Sequence, residues 1–475
     1  MSGARAALRH VPEASQGFAF ISGLTRGLKQ NKPYGFLREW HDQHGPLLKV
    51  NMIMIKPVSV VDAKVVKWVT RNDPARFTKG ESYDSIQRGW LDNSLVLNED
   101  EEWRRKRSIY NRAFKLAAIR SYVPLFLDIA EAAALKWQQK HEKQEVVDAV
   151  STFESVALEA IGQAGFGVSN MGRPGNKYAN AFTSYLDVLN AEITSPAMIL
   201  LPKPLKHFVT RLRGAGHLSA MNAEARRISN GDSEMSSEKP ESGAAQTRQT
   251  LVSLIREAAL EENSDLDPEQ LAREANLFLF AGHDTTSASL AWVFASLAAD
   301  AEAQQRAYEE VAAVPEEEMK NRLSDPRSLP FIGAIIRETL RLYPPAPMVL
   351  RRTKFDEELG GYAIPAGTNL SLNIWCIHRD AEVFEDAHTF KPDRWLTADE
   401  AKLKRMQDHW MPFMVGARSC IGQQFSMMEM RVVIATLLKQ FSIKLESVPK
   451  LHQRMLLLPN DIKLRCTPRL NSDGE

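Results

Sequence analysis

The stretch FMVGARSCIG, residues 413–422, places one arginine and one cysteine between two glycines. Cysteine is scarce, since the 475 residues contain three: Cys376, Cys420 and Cys466. Apolar side chains then recur at spacings of three and four, at Ile421, Phe425, Met428, Val432 and Ala435. This spacing predicts a helix with one apolar face, so Cys420 stands just before a helix N-terminus. Exposed amides and the helix dipole favour an anion there, which lowers the pKa of a thiol and suits a thiolate metal ligand.

The neighbours of Cys420 also suit a flat, acidic ligand. Gly416 and Gly422 remove side chains where such a ligand could approach the backbone. Arg418 puts a permanent cation two residues from the sulfur, where it can meet a carboxylate of the ligand. Taken alone, however, a single cysteine is usually a small buried apolar residue. Other motifs in the chain must therefore decide between these two interpretations.

Composition sets broad limits on the kind of protein. Hydrophobic residues make up 44% and charged residues 25% of the chain, and the net charge is +1. This composition is typical of a globular protein. The small net charge provides no overall electrostatic attraction for nucleic acid. Three cysteines favour a reducing, intracellular compartment over a disulfide framework. No stretch approaches the ~20 apolar residues of a membrane-spanning helix, and no signal-peptide core is present.

The sequence predicts one domain preceded by a flexible N-terminal segment. We expect residues 1–30 to be a flexible segment and residues 31–475 to form a single, mainly helical domain. Residues 230–249 are rich in Ser, Glu, Gly and Pro, which predicts a disordered surface loop. Residues 47–61 and 359–372 have sequence patterns typical of β-strands, and the second range has the pattern of a hairpin. Helical patterns cover residues 129–141, 153–165, 251–260, 269–297, 301–314 and 331–342.

The pattern FxxGxRxCxG resembles the heme-binding signature of the cytochrome P450 family, the heme-thiolate monooxygenases. The resemblance implies a mainly α fold with small β-sheets, the P450 fold. Heme b (iron protoporphyrin IX) would lie between a distal helix at about 269–297 and the cysteine loop and helix at 413–440. Cys420 would be the axial thiolate, whose electron donation helps to break the bond of dioxygen. The same resemblance assigns cofactor contacts to Phe413, Gly416, Arg418 and Gly422.

A second motif, AGHDTT, begins at Ala281 inside an apolar helical pattern. The Thr285 hydroxyl can bond back to the Ala281 carbonyl and loosen the helix near Gly282. Without the cysteine motif, a helix break with an Asp/Thr cap would be the simpler interpretation. The motif resembles the distal helix of the family, which implies that Asp284 and Thr285 form the catalytic acid–alcohol pair for proton delivery. We interpret His283 as a structural or water-bonded residue and not as a metal ligand.

Three further residues match a structural network of the family. Glu338 and Arg341 stand three apart in RETLRLYPP, on a predicted helix, so they can pair. Arg394 lies in FKPDRW, where Asp393 replaces the more usual glutamate. The resemblance implies a buried ion network that holds the cysteine loop and takes no part in the chemistry.

A fourth match to the family concerns the cationic residues that would bind the heme carboxylates. Trp103 and Arg107 form the WxxxR string of the family helix that contacts a propionate. Arg351 stands where the family often has another propionate-binding arginine, with Arg352 as the alternative. A doubly anionic cofactor is costly to bury without such partners.

The resemblance implies a monooxygenase that inserts one oxygen atom from O2 into a lipophilic small molecule, in lipid oxidation or secondary metabolism. Electrons would come from NADPH or NADH through a separate flavoprotein reductase or ferredoxin, because no complete GxGxxG is present. Arg104, Arg105 and Lys106 are interpreted either as an outward docking cluster or as a solvated helix face. The alternatives are a heme-thiolate enzyme that rearranges hydroperoxides and a heme-binding sensor or carrier without turnover; the intact Asp284–Thr285 pair favours the monooxygenase.

The substrate pocket and the location of the protein are less specified. Fatty acid, terpenoid, steroid, polyketide and xenobiotic substrates remain open. The apolar run at 196–204 is either a buried connection or a peripheral contact with a membrane, so the protein is expected in the cytoplasm or at the endoplasmic reticulum surface. By family position, and equally well explained as core, the pocket candidates are Tyr83, Ile86, Trp90, Phe278, Ala281, Met348, Val349, Leu350, Met455, Leu456 and Leu457.

Overall fold

The helices carry most of the structure. A computed structural model describes residues 8–14, 19–52, 56–80, 90–173, 175–199, 201–230, 249–262, 267–454 and 456–469. Its helices are α1 (Ala19–Lys29), α2 (Gly35–His44), α3 (Ala63–Arg71), α4 (Asp100–Ala113), α5 (Leu116–Arg120), α6 (Val123–Glu142), α7 (Ala149–Phe166), α8 (Lys177–Thr194), α9 (Pro196–Ile199), α10 (Lys203–Asn230), α11 (Leu251–Glu261), α12 (Pro268–Ala299), α13 (Ala301–Ala312), α14 (Glu316–Ser324), α15 (Pro330–Leu342), α16 (Ile374–Ile377), α17 (Glu400–His409) and α18 (Gln423–Gln440). Short 3-10 helices occupy Leu8–His10 and Pro392–Leu396. The predicted mainly α fold is confirmed.

Small sheets complete the fold. The strands are β1 (Leu47–Lys49), β2 (Val58–Val60), β3 (Phe77–Thr78), β4 (Val147–Asp148), β5 (Val349–Thr353), β6 (Glu357–Leu359), β7 (Tyr362–Ile364), β8 (Asn369–Leu372), β9 (Phe441–Leu445), β10 (Lys450–Gln453), β11 (Leu457–Asn460) and β12 (Lys463–Pro468). The largest sheet has the order β1-β2-β8-β5-β3. The predicted hairpin is β6–β7, which turns at Gly360 and Gly361, both with positive φ as such a tight turn requires.

The long helix α12 runs through the interior and positions the site. The Asp267 side chain caps it by accepting from the Glu269 amide, and Pro268 fits the first helical turn. Helix α7 packs along α12 at Gly282, where an added Cβ would stand 3.0 Å from Ile161. A glycine is therefore needed at this contact for the two helices to approach closely.

Strands from the C-terminal region tie distant parts of the chain together. Strand β12 pairs with β4 on one side and with β9 on the other. On β10, the Leu451 amide donates to the Asn31 side chain at 3.0 Å. The Tyr34 hydroxyl donates to Gln453 at 2.6 Å. Buried apolar side chains form a continuous core that includes Val11 near one end of the chain and Cys466 near the other.

The segment expected to be a flexible start includes the helix α1 (Ala19–Lys29), and its flexibility stays a prediction. Phe20 packs edge-on against Phe36 with ring centroids 5.4 Å apart, and Gly23 and Gly27 are also buried. The burial of one apolar side chain thus fixes a segment whose composition gives little signal. That residues 31–475 form one domain stays a prediction, and the predicted loop lies almost wholly outside the described residues, since 231–248 belong to the gaps.

The apolar run at 196–204 forms no long helix, as its prolines predict. Helix α9 ends at Ile199 and α10 begins at Lys203. Met198 is buried while Ala197 is exposed, so the run has one side in the core and one in solvent. Among the helices in the described ranges, none has the length and apolar character needed to cross a membrane.

Candidate active site

The cysteine loop is folded tightly by its own backbone. The Cys420 amide donates to the Phe413 carbonyl at 2.8 Å, and the Ser419 amide donates to the Gly416 carbonyl at 3.1 Å. Helix α18 then begins at Gln423. The Cys420 side chain is accessible, in contrast to Cys376 and Cys466, which are buried.

The pKa of the Cys420 thiol is raised and not lowered. Burial by the surrounding protein is the main cause, and the amides of Gly422 and Gln423 together with Arg107 act against it. The helix start thus favours the thiolate as predicted, but desolvation outweighs it. A metal ion at the sulfur would remove this proton outright.

Gly416 is required for a structural reason that the sequence did not predict. Its φ is +82°, and an added Cβ would lie 2.4 Å from the Thr70 carbonyl oxygen at the end of α3. Glycine is therefore required for the loop to turn and to pack on α3. At Gly422, by contrast, the nearest atom to an added Cβ is the Cys420 sulfur at 3.9 Å.

Two buried arginines share one carboxylate beside the loop. Arg418 donates to Asp73 at 3.0 Å and to the Asn98 carbonyl at 2.8 Å, and its guanidinium stacks 4.4 Å from the Trp103 ring. Arg351 donates to the other Asp73 oxygen at 2.5 Å. Asp73 was not found by sequence reasoning, because it lies 345 residues from Arg418 in the chain.

This cluster fits an acidic cofactor. Two guanidinium groups face one carboxylate, which leaves a net positive charge in a buried place. The Nη2 atom of Arg418 is buried and has no hydrogen-bond partner, so it remains to bind an anion. Arg107 donates to the Ser419 carbonyl at 2.7 Å, next to Cys420. Of the two candidate arginines, Arg351 is buried in this cluster, whereas Arg352 donates to the Gly367 carbonyl on a more exposed side.

The distal helix shows the predicted back-bond. The Thr285 hydroxyl donates to the Ala281 carbonyl at 2.7 Å, and α12 remains continuously helical through this turn. Ala281 is exposed and Thr285 partly exposed, although most of their neighbours on α12 are buried. Residues four apart share one helix face, so this face of α12 is accessible. Asp284 points elsewhere, is buried, and contacts His283.

The predicted structural network is present in the structure. The Glu338 carboxylate accepts from Arg341 at 2.8 and 2.9 Å, from Arg394 at 3.0 Å and from the Trp395 indole at 3.0 Å. The Lys391 amide donates to it as well, at 3.0 Å. Trp395 follows Arg394 directly in the chain, yet nothing in the sequence pattern showed that its indole would reach the same carboxylate.

His378 links this network to the cysteine loop, which sequence reasoning missed. Its Nδ1 donates to the Arg341 carbonyl at 3.2 Å, and its Nε2 accepts from the Met411 amide at 2.9 Å. Burial lowers the pKa of His378 well below its usual value, and the nearby charges of Arg341 and Arg379 lower it further. A neutral ring that donates at one nitrogen and accepts at the other is consistent with both contacts.

Comparison with known proteins identifies the family. The family model described as "Cytochrome P450" matches residues 12–465. The chain belongs to the cytochrome P450 family. As a P450 it is a heme-thiolate monooxygenase, an oxidoreductase that uses O2. This confirms the family resemblance on which the heme and dioxygen predictions depend.

Curated relatives from distant organisms match over most of this P450. "Probable cytochrome P450 4s3" of Drosophila melanogaster is 26% identical over 466 residues, covering 94% of this chain and 91% of the relative. "Cytochrome P450 4F5" of Rattus norvegicus is 31% identical over 74% of this chain and 69% of the relative. "Cytochrome P450 monooxygenase 128" of Postia placenta is 26% identical over 90% and 84%, respectively.

The structure places two predicted pocket residues of this P450 in aromatic packing. Phe278 lies against Tyr110 and Phe114, with ring centroids 5.8 and 5.6 Å away. Trp90 is fully buried and packs on Phe182, Tyr185 and Phe280. These contacts are typical of core residues, so both positions form the walls behind a pocket and not its surface.

Other pocket candidates keep some exposure. Ala281 lies on the accessible face of α12, and Val349 and Leu350 on β5 are partly exposed, as are Met348 and Leu456. Leu457 on β11 is buried. Three candidates fall outside the described part of the chain: Tyr83, Ile86 and Met455.

One member of the predicted docking cluster faces inward, which corrects that interpretation. Lys106 is 0% exposed, and its ammonium lies 2.7 Å from Asn98 and 3.4 Å from the Glu274 carboxylate on α12. The pairing of α4 with α12 decides which face of α4 is buried, and the basic run WRRKR gave no sign of it. Arg104 is exposed and pairs with Glu101.

Proposed function

We propose that this P450 inserts one oxygen atom of O2 into a lipophilic small molecule, with electrons from NADPH or NADH delivered by a separate redox partner. The observation that carries the proposal is the accessible thiol of Cys420 beside Arg418, a buried arginine with an unpartnered Nη2. Cys420 would hold the iron of heme b. Arg418, Arg351 and Arg107 would receive its carboxylates. When bound, the heme activates dioxygen.

The residues of the chain would bind, orient and supply protons. Because the Thr285 hydroxyl donates to the Ala281 carbonyl, its oxygen lone pairs face the cavity and can accept a hydrogen bond there. Asp284 directly precedes Thr285 in the helix and is the acid of the pair. The partly exposed apolar side chains of Val349 and Leu350 would exclude water from the reacting groups and favour a lipophilic substrate.

The test is spectroscopic. The reduced full-length protein with carbon monoxide should give a strongly red-shifted Soret band, and Cys420→Ser should lose that band. Thr285→Ala should keep the band but yield about tenfold less product per NADPH, with hydrogen peroxide released instead. A normal band in the wild-type protein, or unchanged product yield in Thr285→Ala, would contradict the assigned roles.

The substrate is proposed only as a lipophilic class. A probe panel of dodecanoic acid, geraniol, testosterone and 7-ethoxycoumarin covers the acid, terpenoid, steroid and xenobiotic chemistries. Binding near the iron is measured as a shift of the ferric Soret band. A panel in which no member shifts the band or is oxidised would count against a lipophilic substrate.

Docking of an acidic electron donor is proposed for the exposed arginines Arg104 and Arg105 on α4, with Lys106 excluded because it is buried. Arg104→Glu should lower reductase-driven turnover several-fold at low salt and much less at high salt. Lys143→Glu, an exposed charge reversal at the end of α6, is the control. Equal turnover of both variants at low salt would dismiss the docking role.

Peripheral membrane contact near 196–204 is supported by an apolar stripe on α10. Leu205, Phe208 and Leu212 are 48%, 63% and 70% exposed. They lie three and four residues apart, so they share one face of the helix. Arg211 and Arg213 flank the stripe. Apolar side chains flanked by cations suit the surface of an anionic bilayer, such as the endoplasmic reticulum membrane.

A further inference from the structure

A groove that contains several charged side chains reaches the far side of the distal helix from the protein surface. Its volume is about 810 Å³, and it lies between α6, α7 and the start of α8. Charged side chains line it, among them Lys136, Asp148 and Glu154. His283 of α12 also lines it, although α12 is otherwise an interior helix. The groove therefore connects solvent to the residue that precedes Asp284.

His283 connects the groove to the catalytic acid. Its imidazole is buried, and its Nδ1 lies 2.9 Å from the Asp284 carboxylate, within hydrogen-bond distance. Phe182 of α8 packs against the same ring, with centroids 6.0 Å apart, and restricts its orientation. One side of the imidazole thus contacts Asp284 while the residue as a whole borders the groove.

The charges around His283 keep its protonated form available. Burial lowers its pKa, but the hydrogen bond to Asp284 and the charges of Asp284 and Glu154 outweigh this, so the pKa is raised overall. Glu154 is accessible in the groove, and desolvation by the surrounding protein raises its pKa, with the charges of Asp284 and Asp148 acting in the same direction and those of His283 and Arg454 against it. From α8, Tyr178 stands near Asp284, and its pKa is raised by burial and by that charge. An imidazole that can exchange protons near neutral pH suits a relay.

We propose that His283 relays protons from groove water near Glu154 to Asp284. The proposal rests on the proposed monooxygenase function, whose balance is RH + O2 + 2e⁻ + 2H⁺ → ROH + H2O. The electrons come from the redox partner, and both protons must come from solvent. Asp284 is buried, so it needs a link to water. The groove and His283 form that link on the side of α12 away from the Thr285 face.

Each transfer conserves protons at named atoms. The neutral imidazole, with its hydrogen on Nδ1, takes a proton at Nε2 from groove water, and the Nδ1–H then donates its proton to the Asp284 carboxylate. The ring that remains carries its hydrogen on Nε2 and returns to the Nδ1–H form by proton exchange with the same water. Glu154 holds a proton near this water, because its raised pKa allows it to be protonated more often than an ordinary glutamate. Asp284 is then protonated again and can act as the acid of the pair.

The first test is a histidine titration by NMR on the full-length heme protein, as its reduced carbon monoxide complex. The His283 signal is identified by its loss in His283→Gln. Glu154→Gln should lower the pKa of His283 by about half a pH unit, because a nearby negative charge is removed. Glu142→Gln, an exposed carboxylate at the end of α6, should leave it unchanged. An unchanged pKa in Glu154→Gln, or an imidazole that does not titrate between about pH 5 and 9, would overturn the relay.

The second test separates proton supply from folding. With the member of the probe panel that gives the largest spectral shift, His283→Gln should form about tenfold less product per NADPH. Hydrogen peroxide as oxygen donor requires no net protons or electrons (RH + H2O2 → ROH + H2O), so there the variant should stay within about twofold of wild type. His44→Gln, an exposed histidine on α2, is the control.

The outcomes distinguish the two proposals. Equal losses with NADPH and with peroxide, or no loss with either, would overturn the relay, and retention of the red-shifted carbon monoxide band shows that the variant is folded. If the wild-type protein oxidises no probe, the monooxygenase proposal fails for these substrates. The histidine titration still decides whether Glu154, His283 and Asp284 are linked.

Discussion

At the scale of single residues, the geometry of the cysteine loop depends on one glycine as much as on the cysteine. Gly416 adopts φ +82° and lies against the Thr70 carbonyl. A side chain there meets backbone, which cannot move aside as a flexible side chain can. The packing of this loop on α3 thus helps to fix the position of Cys420.

Gly416→Ala should lower the free energy of unfolding by about 2 kcal/mol or more, from the strain of positive φ and the contact with Thr70. Gly333→Ala in α15 is the matched control: no atom lies within 4 Å of its added Cβ and its φ is helical. It should be neutral or stabilise by about 0.5–1 kcal/mol. Urea denaturation followed by tryptophan fluorescence measures both. Equal free energies of unfolding of the two variants would show that the loop can adjust to a side chain at position 416.

The sequence predicted the motif residues of the site but not their partners. Arg418 was expected to meet a carboxylate of the cofactor, and the structure adds Asp73, which occupies part of its donor set. His378 and Trp395 also escaped prediction. Such contacts join residues far apart in the chain, and local periodicity carries no information about them. The roles of Cys420 and the other site residues in catalysis stay predictions.

At the scale of elements, the Glu338 network holds α15 against the segment that leads to the cysteine loop. The carboxylate is fully buried, with Arg341 and Arg394 as its cations. A buried charge that loses its partner is far more costly than an exposed one.

Glu338→Gln should therefore destabilise the fold by about 3–5 kcal/mol, because two buried guanidinium groups lose their counter-charge. Asp393→Asn is the control, since its pair with Arg306 is largely exposed. It should cost at most about 1 kcal/mol. Thermal unfolding of both variants checks this. A loss below about 1 kcal/mol in Glu338→Gln would mean that the network contributes little.

The pair Lys106–Glu274 joins α4 to α12 and should make stability depend on pH. Burial raises the pKa of Glu274 from 4.5 to about 7, against the opposing effects of Lys106 and the Leu95 amide. Burial also lowers the pKa of Lys106. Both shifts favour the neutral forms, so desolvation outweighs the attraction between the two charges.

Since the folded state holds the Glu274 proton more tightly, stability falls as pH rises from about 4.5 to about 7. The stability of wild type relative to Glu274→Gln should fall by about 3 kcal/mol across this window. The control is Glu269→Gln, which removes an exposed carboxylate on the same helix whose pKa is lowered by Arg226. The stability of wild type relative to this control should not fall over the same pH range. Urea titrations at several pH values measure the difference in the free energy of unfolding between wild type and each variant, and a difference between wild type and Glu274→Gln that does not change with pH would exclude the raised pKa.

Helix positions were predictable because apolar periodicity runs through α7, α12 and α15. Their ends differ from the prediction by a few residues, where caps such as Asp148 and Asp267 begin the helix earlier than the apolar pattern does. The inward direction of Lys106 was not predictable. It depends on α12 packing against α4, and a charged run of four residues has no apolar face to show it.

At the scale of the whole molecule, the proposed membrane contact through the apolar stripe Leu205–Phe208–Leu212 would set the orientation of the protein towards a membrane. The double substitution Phe208→Ser with Leu212→Ser should weaken binding to phosphatidylserine–phosphatidylcholine vesicles by about tenfold or more, because each apolar side chain contributes roughly 1.5–3 kcal/mol when buried. Leu260→Ser on α11, which is 73% exposed, is the control. Vesicle co-sedimentation measures binding. Equal losses in the two variants would exclude a defined membrane face.

The pairing of β12 with β4 and β9 has a consequence for biosynthesis. Residues 147–148 leave the ribosome long before residues 463–468, so β4 has no partner while the middle of the protein is being translated. Asn31 and Tyr34 likewise lack these hydrogen-bond partners until β10 has been translated. Domains usually fold as units, and here the unit closes only when its last strands are made. A transcript truncated before Lys463 would yield a chain with an open sheet edge, a natural substrate for chaperones and proteases.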